Sequence, residues 1–181
     1  MSRHKNIVFV TVGSTRFDAL VDKVISEEVI LSLKSKGFEK MVIQTGHSNV
    51  PSGLGLKENE DMSQGNIFGL LIEVWPFRPS LKEMYEDAEL VIGHAGSGTI
   101  IEVLRLGKRM IAVPNETLLH NHQAELAEAL DAVGYLVSSS VRDLAVAIGQ
   151  ATSKKFERFP EYDASKFNGI LDEEMGFNVA A

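Results

Sequence analysis

Residues 90–107 read LVIGHAGSGTIIEVLRLG, and this stretch decides the fold. Residues 90–92 predict a short buried strand, because strands covered on both faces are continuously apolar. A glycine-rich loop follows at residues 93–99, and the apolar residues after it recur with helical spacing until Gly107. The stretch therefore predicts a strand, a tight turn and a helix in direct succession.

Strands and helices alternate in the same way along most of the chain. Residues 7–12 predict a strand, Gly13 opens a tight loop, and the apolar spacing from Phe17 onward predicts one helix that ends at Gly37. This alternation is typical of an α/β fold: a Rossmann-like open, mostly parallel sheet with helices on both faces. Further strands are predicted at residues 41–43, 67–77, 110–113 and 135–137, and further helices after Pro79, around residues 126–133 and at residues 141–151.

Two segments depart from this alternation. Residues 46–65 are rich in Gly, Ser, Asn, Pro and acidic residues, which favours a surface loop. Residues 1–153 form the predicted Rossmann-like domain, and residues 154–181 a charged linker with a last helix. The apolar face of that helix would pack on its own domain or contact a partner, and the sequence leaves both open. The face comprises Tyr162, Phe167, Ile170 and Leu171.

The composition excludes several classes of function. Lys and Arg number 18 against 25 Asp and Glu, giving a net charge of −7, which disfavours nucleic-acid binding because phosphates are held by clustered cations. Cysteine is absent, so there is neither a disulfide nor a Cys-ligated zinc site, as suits a cytoplasmic protein. No apolar run approaches the roughly 20 residues of a membrane helix. The sequence therefore predicts no direct membrane span.

Two glycine-rich loops are the main candidates for ligand binding. Each lies between the carboxyl end of a predicted strand and the start of a helix, where open parallel sheets bind their ligands. Free N–H groups and the helix dipole favour an anion there, and a diphosphate would fit. Tight turns with ordinary caps are the alternative. The loops contain Gly13, Ser14 and Thr15, and Gly96, Ser97, Gly98 and Thr99.

Polar side chains near other helix starts add to this set. Glu102 lies one turn into the helix after the second loop, where its carboxylate can accept hydrogen bonds from both hydroxyls of a ribose. The alternative is a solvated residue that interacts favourably with the helix dipole. Asn121 and Gln123 open the next predicted helix and suit hydrogen bonds to sugar hydroxyls, although Asn121 could instead cap the helix. His120 and His122 lack a third ligand nearby, so no metal site is predicted.

Three common nucleotide-binding signatures are missing. No Asp-x-Asp pair lies at a strand end, which disfavours a Mg²⁺ or Mn²⁺ bridge to a diphosphate. The first loop lacks both the Gly-x-Gly-x-x-Gly dinucleotide pattern and the lysine of a P-loop, which disfavours NAD enzymes and ATPases. We therefore predict neither a metal nor a cofactor.

Taken together, these motifs resemble the soluble catalytic subunits of the eukaryotic UDP-N-acetylglucosamine transferase that makes chitobiosyl-diphosphodolichol. Each motif alone is weak, but in order over residues 7–137 they are specific. That family in turn is similar to the donor-binding, carboxyl-terminal half of GT-B glycosyltransferases such as the bacterial peptidoglycan N-acetylglucosaminyltransferase. The motifs are VTVGST at residues 10–15 with Phe17 and Asp18, VIGHAGSGT at 91–99 with Glu102, and NHQ at 121–123 with ELA at 125–127.

The resemblance implies a half-enzyme, because a GT-B enzyme needs two Rossmann-like domains and this chain has one. It implies a membrane-anchored, acceptor-binding glycosyltransferase subunit as partner, which recruits the chain to the cytosolic face of the endoplasmic reticulum. The implied reaction is inverting, metal-independent transfer of GlcNAc from UDP-GlcNAc to GlcNAc-diphosphodolichol, the second step of lipid-linked oligosaccharide synthesis for N-glycosylation. UDP-GlcNAc would be a substrate, and activity would require the partner.

The same resemblance implies roles for the candidate residues. The glycine-rich loops would hold the phosphates and approach the GlcNAc, Glu102 would bind the ribose, and Phe77 would contact the uracil unless its loop packs on the core. His94 would assist the chemistry or serve as a structural histidine, and the base would then come from the partner. The residues implied to bind substrate are Gly13, Ser14, Thr15, Phe77, Gly96, Ser97, Gly98, Thr99, Glu102, Asn121 and Gln123.

Two other functions remain open from the sequence. One is half of a bacterial-type two-chain polysaccharide glycosyltransferase with another sugar. The other is a non-catalytic nucleotide-binding module, since a fold alone does not determine function.

Overall fold

The computed structural model describes residues 6–50, 62–117 and 122–161. No helix within these ranges is long and apolar enough to cross a membrane. The elements, in chain order, are β1 (Ile7–Thr11), α1 (Asp18–Val24), α2 (Glu27–Ser35), β2 (Lys40–Gln44), β3 (Ser63–Ile67), β4 (Leu70–Trp75), α3 (Lys82–Asp87), β5 (Leu90–His94), α4 (Ser97–Arg105), β6 (Arg109–Val113), α5 (His122–Ala132), β7 (Val137–Ser138) and α6 (Leu144–Ser153).

The strands of the described ranges form one 7-stranded sheet in the order β3-β4-β2-β1-β5-β6-β7. All neighbouring pairs are parallel except β3 and β4, which are antiparallel at one edge. The chain builds outward from β1 on one side and from β5 on the other. The order therefore reverses between these two strands, which is where open α/β sheets form their ligand crevice. The predicted mostly parallel open sheet is confirmed.

Helices cover both faces of the sheet, as predicted. Alternate residues of β1 point to opposite faces, so Val8 and Val10 join one core cluster and Phe9 joins the other. The first cluster packs α1, α2 and α6 against the sheet, and the second packs α3, α4 and α5. The central strands are thus buried on both sides, which explains their continuously apolar sequences.

The prediction of one continuous helix from Phe17 to Gly37 was wrong, because the segment forms the two helices α1 and α2. Ser26 lies at the break with an extended backbone (ψ 149°), directly before α2. Its Oγ donates a hydrogen bond to the Lys23 carbonyl at 2.7 Å. Serine side chains compete for backbone groups in this way, which favours the start of a new helix over continuation of the old one.

The predicted strand at residues 67–77 was too long, because only Leu70–Trp75 of it forms the strand β4, and Ile67 ends a separate antiparallel strand, β3. The predicted surface loop at residues 46–65 was also wrong at its end, since β3 begins at Ser63. β3 and β4 are joined by a two-residue turn in which Phe68 (φ 48°) and Gly69 (φ 79°) both have left-handed backbones. Both residues of a type I′ hairpin turn need this conformation. β3 reads SQGNI and carries almost no apolar signal, so the hydrophobic pattern could not identify it. The last predicted strand, at residues 135–137, corresponds to β7, which begins two residues later at Val137.

Residues 154–161 follow α6 and lie against the domain. Phe156 packs against the first core cluster and Phe159 against the second. The Phe159 ring meets Tyr135 edge-on at a centroid distance of 5.2 Å, and the Glu157 N–H donates to the Gly134 carbonyl at 3.1 Å. The predicted last helix lies outside the described residues, and the domain boundary at residue 153 stays a prediction.

Candidate functional site

The two glycine-rich loops meet at His94, the last residue of β5. A Cβ atom on Gly13 would lie 2.7 Å from Cε1 of His94, and one on Gly96 would lie 2.3 Å from its Nε2. Real Cβ atoms do not approach other atoms this closely, so the imidazole fills the space that only glycine leaves open. Gly13 also has a left-handed backbone (φ 62°). The structure thus brings both predicted loops to one point at the carboxyl edge of β1 and β5.

His94 is buried, with 8% of its surface exposed. Burial lowers the pKa of His94 below the ordinary value of 6.5. A hydrogen bond with the Thr11 main chain raises it again, but only in part. No described residue bonds to its buried Nδ1 atom. His94 is therefore a neutral ring packed between two backbones. This environment agrees better with a structural role than with a role in the chemistry.

Gln44, the last residue of β2, links the first loop to the loop after β4. Its Oε1 accepts hydrogen bonds from the Thr11 hydroxyl at 2.6 Å and from the Gly13 N–H at 2.9 Å. Its Nε2 donates to the carbonyls of Gly13 and Pro76, both at 2.8 Å. The side chain is 2% exposed.

A third loop, after β2, lies against the first. Gly46 has a left-handed backbone (φ 55°), and a Cβ there would lie 2.6 Å from the Gly13 carbonyl oxygen. Its N–H donates to the Pro76 carbonyl at 3.1 Å. The next residue, His47, meets the Phe77 ring edge-on at 5.0 Å. The loops after β1, β2 and β4 are therefore one packed unit.

A cavity of about 660 Å³ opens beside this unit, between the start of α4 and α3. Gly98, Thr99 and Glu102 line it from α4, and Lys82 and Tyr85 line it from α3. The first turn of α4 has no side-chain cap, since Gly96 precedes it. No side chain therefore takes up the first N–H groups of α4, as at anion sites formed by helix starts, and Gly98 and Thr99 of this turn line the cavity.

Tyr85 lines the cavity from an almost fully buried position. Burial raises its pKa to about 12, hydrogen bonds with the side chains of Thr99 and Thr11 act against this, and the Glu102 charge adds to it. The Tyr85 side chain is 1% exposed. The phenol therefore stays protonated at neutral pH, and it lines the same cavity as Thr99 at the start of α4.

The end of β4 and the loop after it place one aromatic residue in the core and one at the surface. Trp75 is fully buried, whereas Phe77 is 50% exposed. The Arg78 guanidinium lies 4.4 Å from the Trp75 ring centroid and 3.2 Å from Glu73 Oε1, and it also borders the cavity. Of Trp75 and Phe77, only Phe77 is exposed enough for a ligand to reach.

The Arg78 position depends on a nearly buried carboxylate. Glu73 is 7% exposed and also bonds to the Lys40 ammonium at 2.7 Å. Burial raises the pKa of Glu73, but the hydrogen bond and charge of Lys40 and the charge of Arg78 outweigh burial, so the pKa lies below its ordinary value. The carboxylate is therefore ionised at neutral pH and holds both cations in place.

The loop after β6 reaches back to the first loop through Asn115. This residue is 5% exposed, and its Nδ2 donates to the Arg16 carbonyl at 3.1 Å. Its N–H donates to Oε1 of Gln123 at 3.2 Å, so the Gln123 oxygen bonds to the main chain. Asn121 lies outside the described residues. Gln123 therefore lies at the same edge as the two glycine-rich loops.

The predicted site residues that the structure describes thus gather at one edge of the sheet, while their contacts with a ligand stay predictions. Ser14 and Ser97 are exposed there, and Thr15 Oγ1 donates to the Val12 carbonyl at 2.7 Å. In the described ranges no three His, Cys, Asp or Glu side chains are placed to hold a metal ion. Sequence reasoning did not single out Gln44 or Tyr85. Gln44 could have been suspected, because a polar residue ending an apolar strand lies at the ligand edge.

Gly96→Ala and Gly98→Ala should differ sharply in stability. The first places a methyl group against the buried His94 ring and should lower the free energy of unfolding by about 1–3 kcal/mol. A Cβ on Gly98 meets nothing within 4 Å, and alanine favours the helix, so stability should be unchanged or slightly higher. Urea unfolding measures both, and equal effects would mean that the imidazole moves aside without cost.

The buried His94 should also make stability depend on pH. The unfolded chain takes up a proton on this ring below about pH 6.5, whereas the folded chain, with its lowered pKa, resists it. The unfolded state then binds more protons, so the free energy of unfolding should fall as the pH falls from about 6.5 through the folded-state pKa. His94→Gln should reduce this slope, measured by urea unfolding at several pH values. Equal slopes in the two proteins would contradict the expectation.

Known proteins share both sequence and fold with this chain. The Glycosyltransferase family 28 C-terminal domain matches residues 7–173. The relative named UDP-N-acetylglucosamine transferase subunit ALG13 in Cryptococcus neoformans var. neoformans serotype D (strain JEC21 / ATCC MYA-565) is 30% identical over 97% of this chain and 99% of its own length. The Mus musculus protein of the same name is 38% identical over 75% of this chain, and the Homo sapiens protein is 37% identical over 81% of it. This chain spans only 11% and 12% of the length of these two proteins.

Solved structures agree on the fold. The NMR solution structure of ALG13 superimposes with a TM-score of 0.66 and 24% identity, covering 92% of this chain and 94% of that one. The crystal structure of Acinetobacter baumannii MurG gives a TM-score of 0.60 and 19% identity, covering 97% of this chain but 44% of that one. The open sheet is therefore that of one half of a GT-B glycosyltransferase. By the family match over most of its length and the relative aligned almost end to end, this chain belongs to the glycosyltransferase family 28 C-terminal domain family.

Proposed function

We propose that this chain is the donor-binding and catalytic subunit of a heteromeric glycosyltransferase that moves GlcNAc from UDP-GlcNAc to GlcNAc-diphosphodolichol. The relatives that share its sequence are named subunits of a UDP-N-acetylglucosamine transferase, which supports both the donor and the need for a partner. The partner would be a membrane-anchored, acceptor-binding subunit that brings the chain to the cytosolic face of the endoplasmic reticulum. We expect no cofactor and no metal.

The convergence of the two glycine-rich loops beside the cavity is the observation that carries this proposal. Backbone N–H groups at the uncapped start of α4 favour a diphosphate, because the helix dipole and free donors act together. Cationic side chains strengthen the preference, since Arg78, Lys82 and Arg105 line the same cavity. A nucleoside diphosphate would therefore meet positive charge and free donors together.

The remaining parts of the donor follow from the phosphate position. Glu102, on the cavity wall one turn along α4, would accept hydrogen bonds from the ribose hydroxyls. The exposed face of Phe77 would contact the uracil. The GlcNAc would then extend toward Gly13, Ser14 and Thr15, with Gln123 and Asn121 bonding to its hydroxyls.

The proposed chemistry is a single displacement with inversion. The acceptor hydroxyl forms a bond to the anomeric carbon as the bond from that carbon to the diphosphate oxygen breaks, and UDP leaves. The start of α4 would stabilise the charge that develops on the diphosphate. His94 is enclosed between two glycines, so we assign it to holding the loops and assign the base that takes the acceptor proton to the partner subunit.

Transfer of radiolabelled GlcNAc from UDP-GlcNAc to GlcNAc-diphosphodolichol tests the proposal directly. The chain alone should be inactive, and the chain mixed with membranes that contain the partner should be active, because the acceptor half of the cleft is then present. Transfer by the chain alone would contradict the half-enzyme proposal. Binding of UDP without any transfer would favour another acceptor or a non-catalytic nucleotide-binding module.

Glu102→Ala should raise the KM for UDP-GlcNAc in the same assay by about tenfold or more. The reason is that hydrogen bonds to a charged group contribute about 1.5–3 kcal/mol, and about 1.4 kcal/mol corresponds to tenfold in affinity. Glu128→Ala is the matched control, since Glu128 is also exposed on a helix but lies outside the cavity. An unchanged KM in Glu102→Ala would remove this residue from the ribose site.

A further inference from the structure

The Gln44 side chain uses its whole hydrogen-bonding capacity on two loops. A primary amide has two N–H donors and an oxygen with two acceptor positions. Both donors go to main-chain carbonyls, of Gly13 and Pro76, and both acceptor positions are filled, by the Gly13 N–H and the Thr11 hydroxyl. At 2% exposure the amide is closed off from water, so these four bonds determine its orientation.

The bonds to Gly13 continue the sheet beyond the end of β1. Within the sheet, Thr11 pairs with Gln44 through the main chain. Past that point the Gln44 side chain bonds to both the N–H and the carbonyl of Gly13, as a neighbouring strand would. This pairing fixes Gly13 in its left-handed conformation and so sets the direction in which Ser14 and Thr15 leave the strand.

The bond to Pro76 fixes a second loop from the same amide. Phe77 and Arg78 follow directly, one exposed beside the ligand edge and the other bordering the cavity. Because the amide is planar and fully bonded, the separation between the Gly13 loop and the Phe77 loop is set by one rigid group.

We propose that Gln44 is a positioning residue for the sugar nucleotide: it holds the loops after β1 and β4 at the fixed separation that one donor molecule spans. This inference rests on the proposed function, in which the first loop approaches the diphosphate and GlcNAc and Phe77 contacts the uracil. Gln44 does not touch the donor. It lowers the cost of binding because the loops do not have to be ordered when the donor arrives.

A positioning role and a merely structural role predict different kinetics. Loss of stability alone reduces the amount of folded enzyme, which lowers the maximal rate and leaves KM unchanged. Displacement of the two loops weakens donor binding in every folded molecule, which raises KM for UDP-GlcNAc. The separation of KM from the maximal rate therefore distinguishes the two roles.

Gln44→Glu tests the positioning role with little change in size. The carboxylate keeps acceptor oxygens for Thr11 and Gly13 but presents an oxygen, not a donor, to the carbonyls of Gly13 and Pro76. Measured with the full chain and its partner membranes, KM for UDP-GlcNAc should rise about tenfold or more, since two buried hydrogen bonds are lost. Thr11→Val, which removes one hydroxyl from the network, should raise KM by a smaller factor.

Thr45→Val is the matched control for Thr11→Val. Thr45 is the next residue after Gln44 and is fully buried, and no described residue bonds to its hydroxyl. The same chemical change outside the network should leave KM as in the wild type. A rise in KM for Gln44→Glu and Thr11→Val but not for Thr45→Val supports the proposal.

Other outcomes would overturn it or the function beneath it. A folded Gln44→Glu enzyme with the wild-type KM, or one that loses only maximal rate, rules out the positioning role. If Gln44→Glu does not fold, Thr11→Val decides in the same way. If the wild type shows no transfer, the proposed function fails by itself. UDP titration of the same variants by NMR then decides whether Gln44 positions a nucleotide site. An unchanged UDP affinity in the folded variants would overturn the positioning role.

Discussion

The packing of the His94 ring between Gly13 and Gly96 is the constraint on which the rest of the site depends. β1 and β5 are parallel neighbours, so the loops that leave them start side by side and compete for the same volume. An imidazole fills that volume, and neither loop has room for a side chain at the point of contact. The glycines are therefore required by close packing at the reversal of the strand order.

Polar groups that are buried yet almost fully bonded make this edge rigid. The Gln44 amide joins two loops, the Asn115 amide joins the first loop to the loop after β6, and Glu73 holds Arg78. Each such group would be costly to bury alone, but with its partners satisfied it favours one arrangement of the loops over others. A preformed surface of this kind would suit the donor-binding role proposed above.

Most of the fold could be predicted from the sequence because its physical causes are local. Apolar runs such as residues 90–92 indicate strands buried on both faces, and glycine at the end of a strand indicates a tight turn toward a helix. The two wrongly predicted regions depend on features that the pattern of apolar residues does not show. Ser26 interrupts a helix through its own hydrogen bond, and β3 is polar, so it is defined by pairing with β4.

The candidate site could be predicted in part, for the same reason. Gly13, Gly96 and Glu102 belong to recognisable loop and helix positions, and the structure gathers them at one edge. Gln44 acts through partners far away in sequence, and only the folded chain brings these partners within bonding distance. Tyr85 lies in α3, and only the packing of α3 beside α4 makes it part of the cavity wall.

The sheet that gathers these residues also limits how other chains can approach. In the described ranges one edge strand is the two-residue β7, and the other is the polar β3, which pairs with β4 in a hairpin. Short or polar borders give little template for adding strands. Another chain would then contact this domain through side chains and loops and not by extending its sheet.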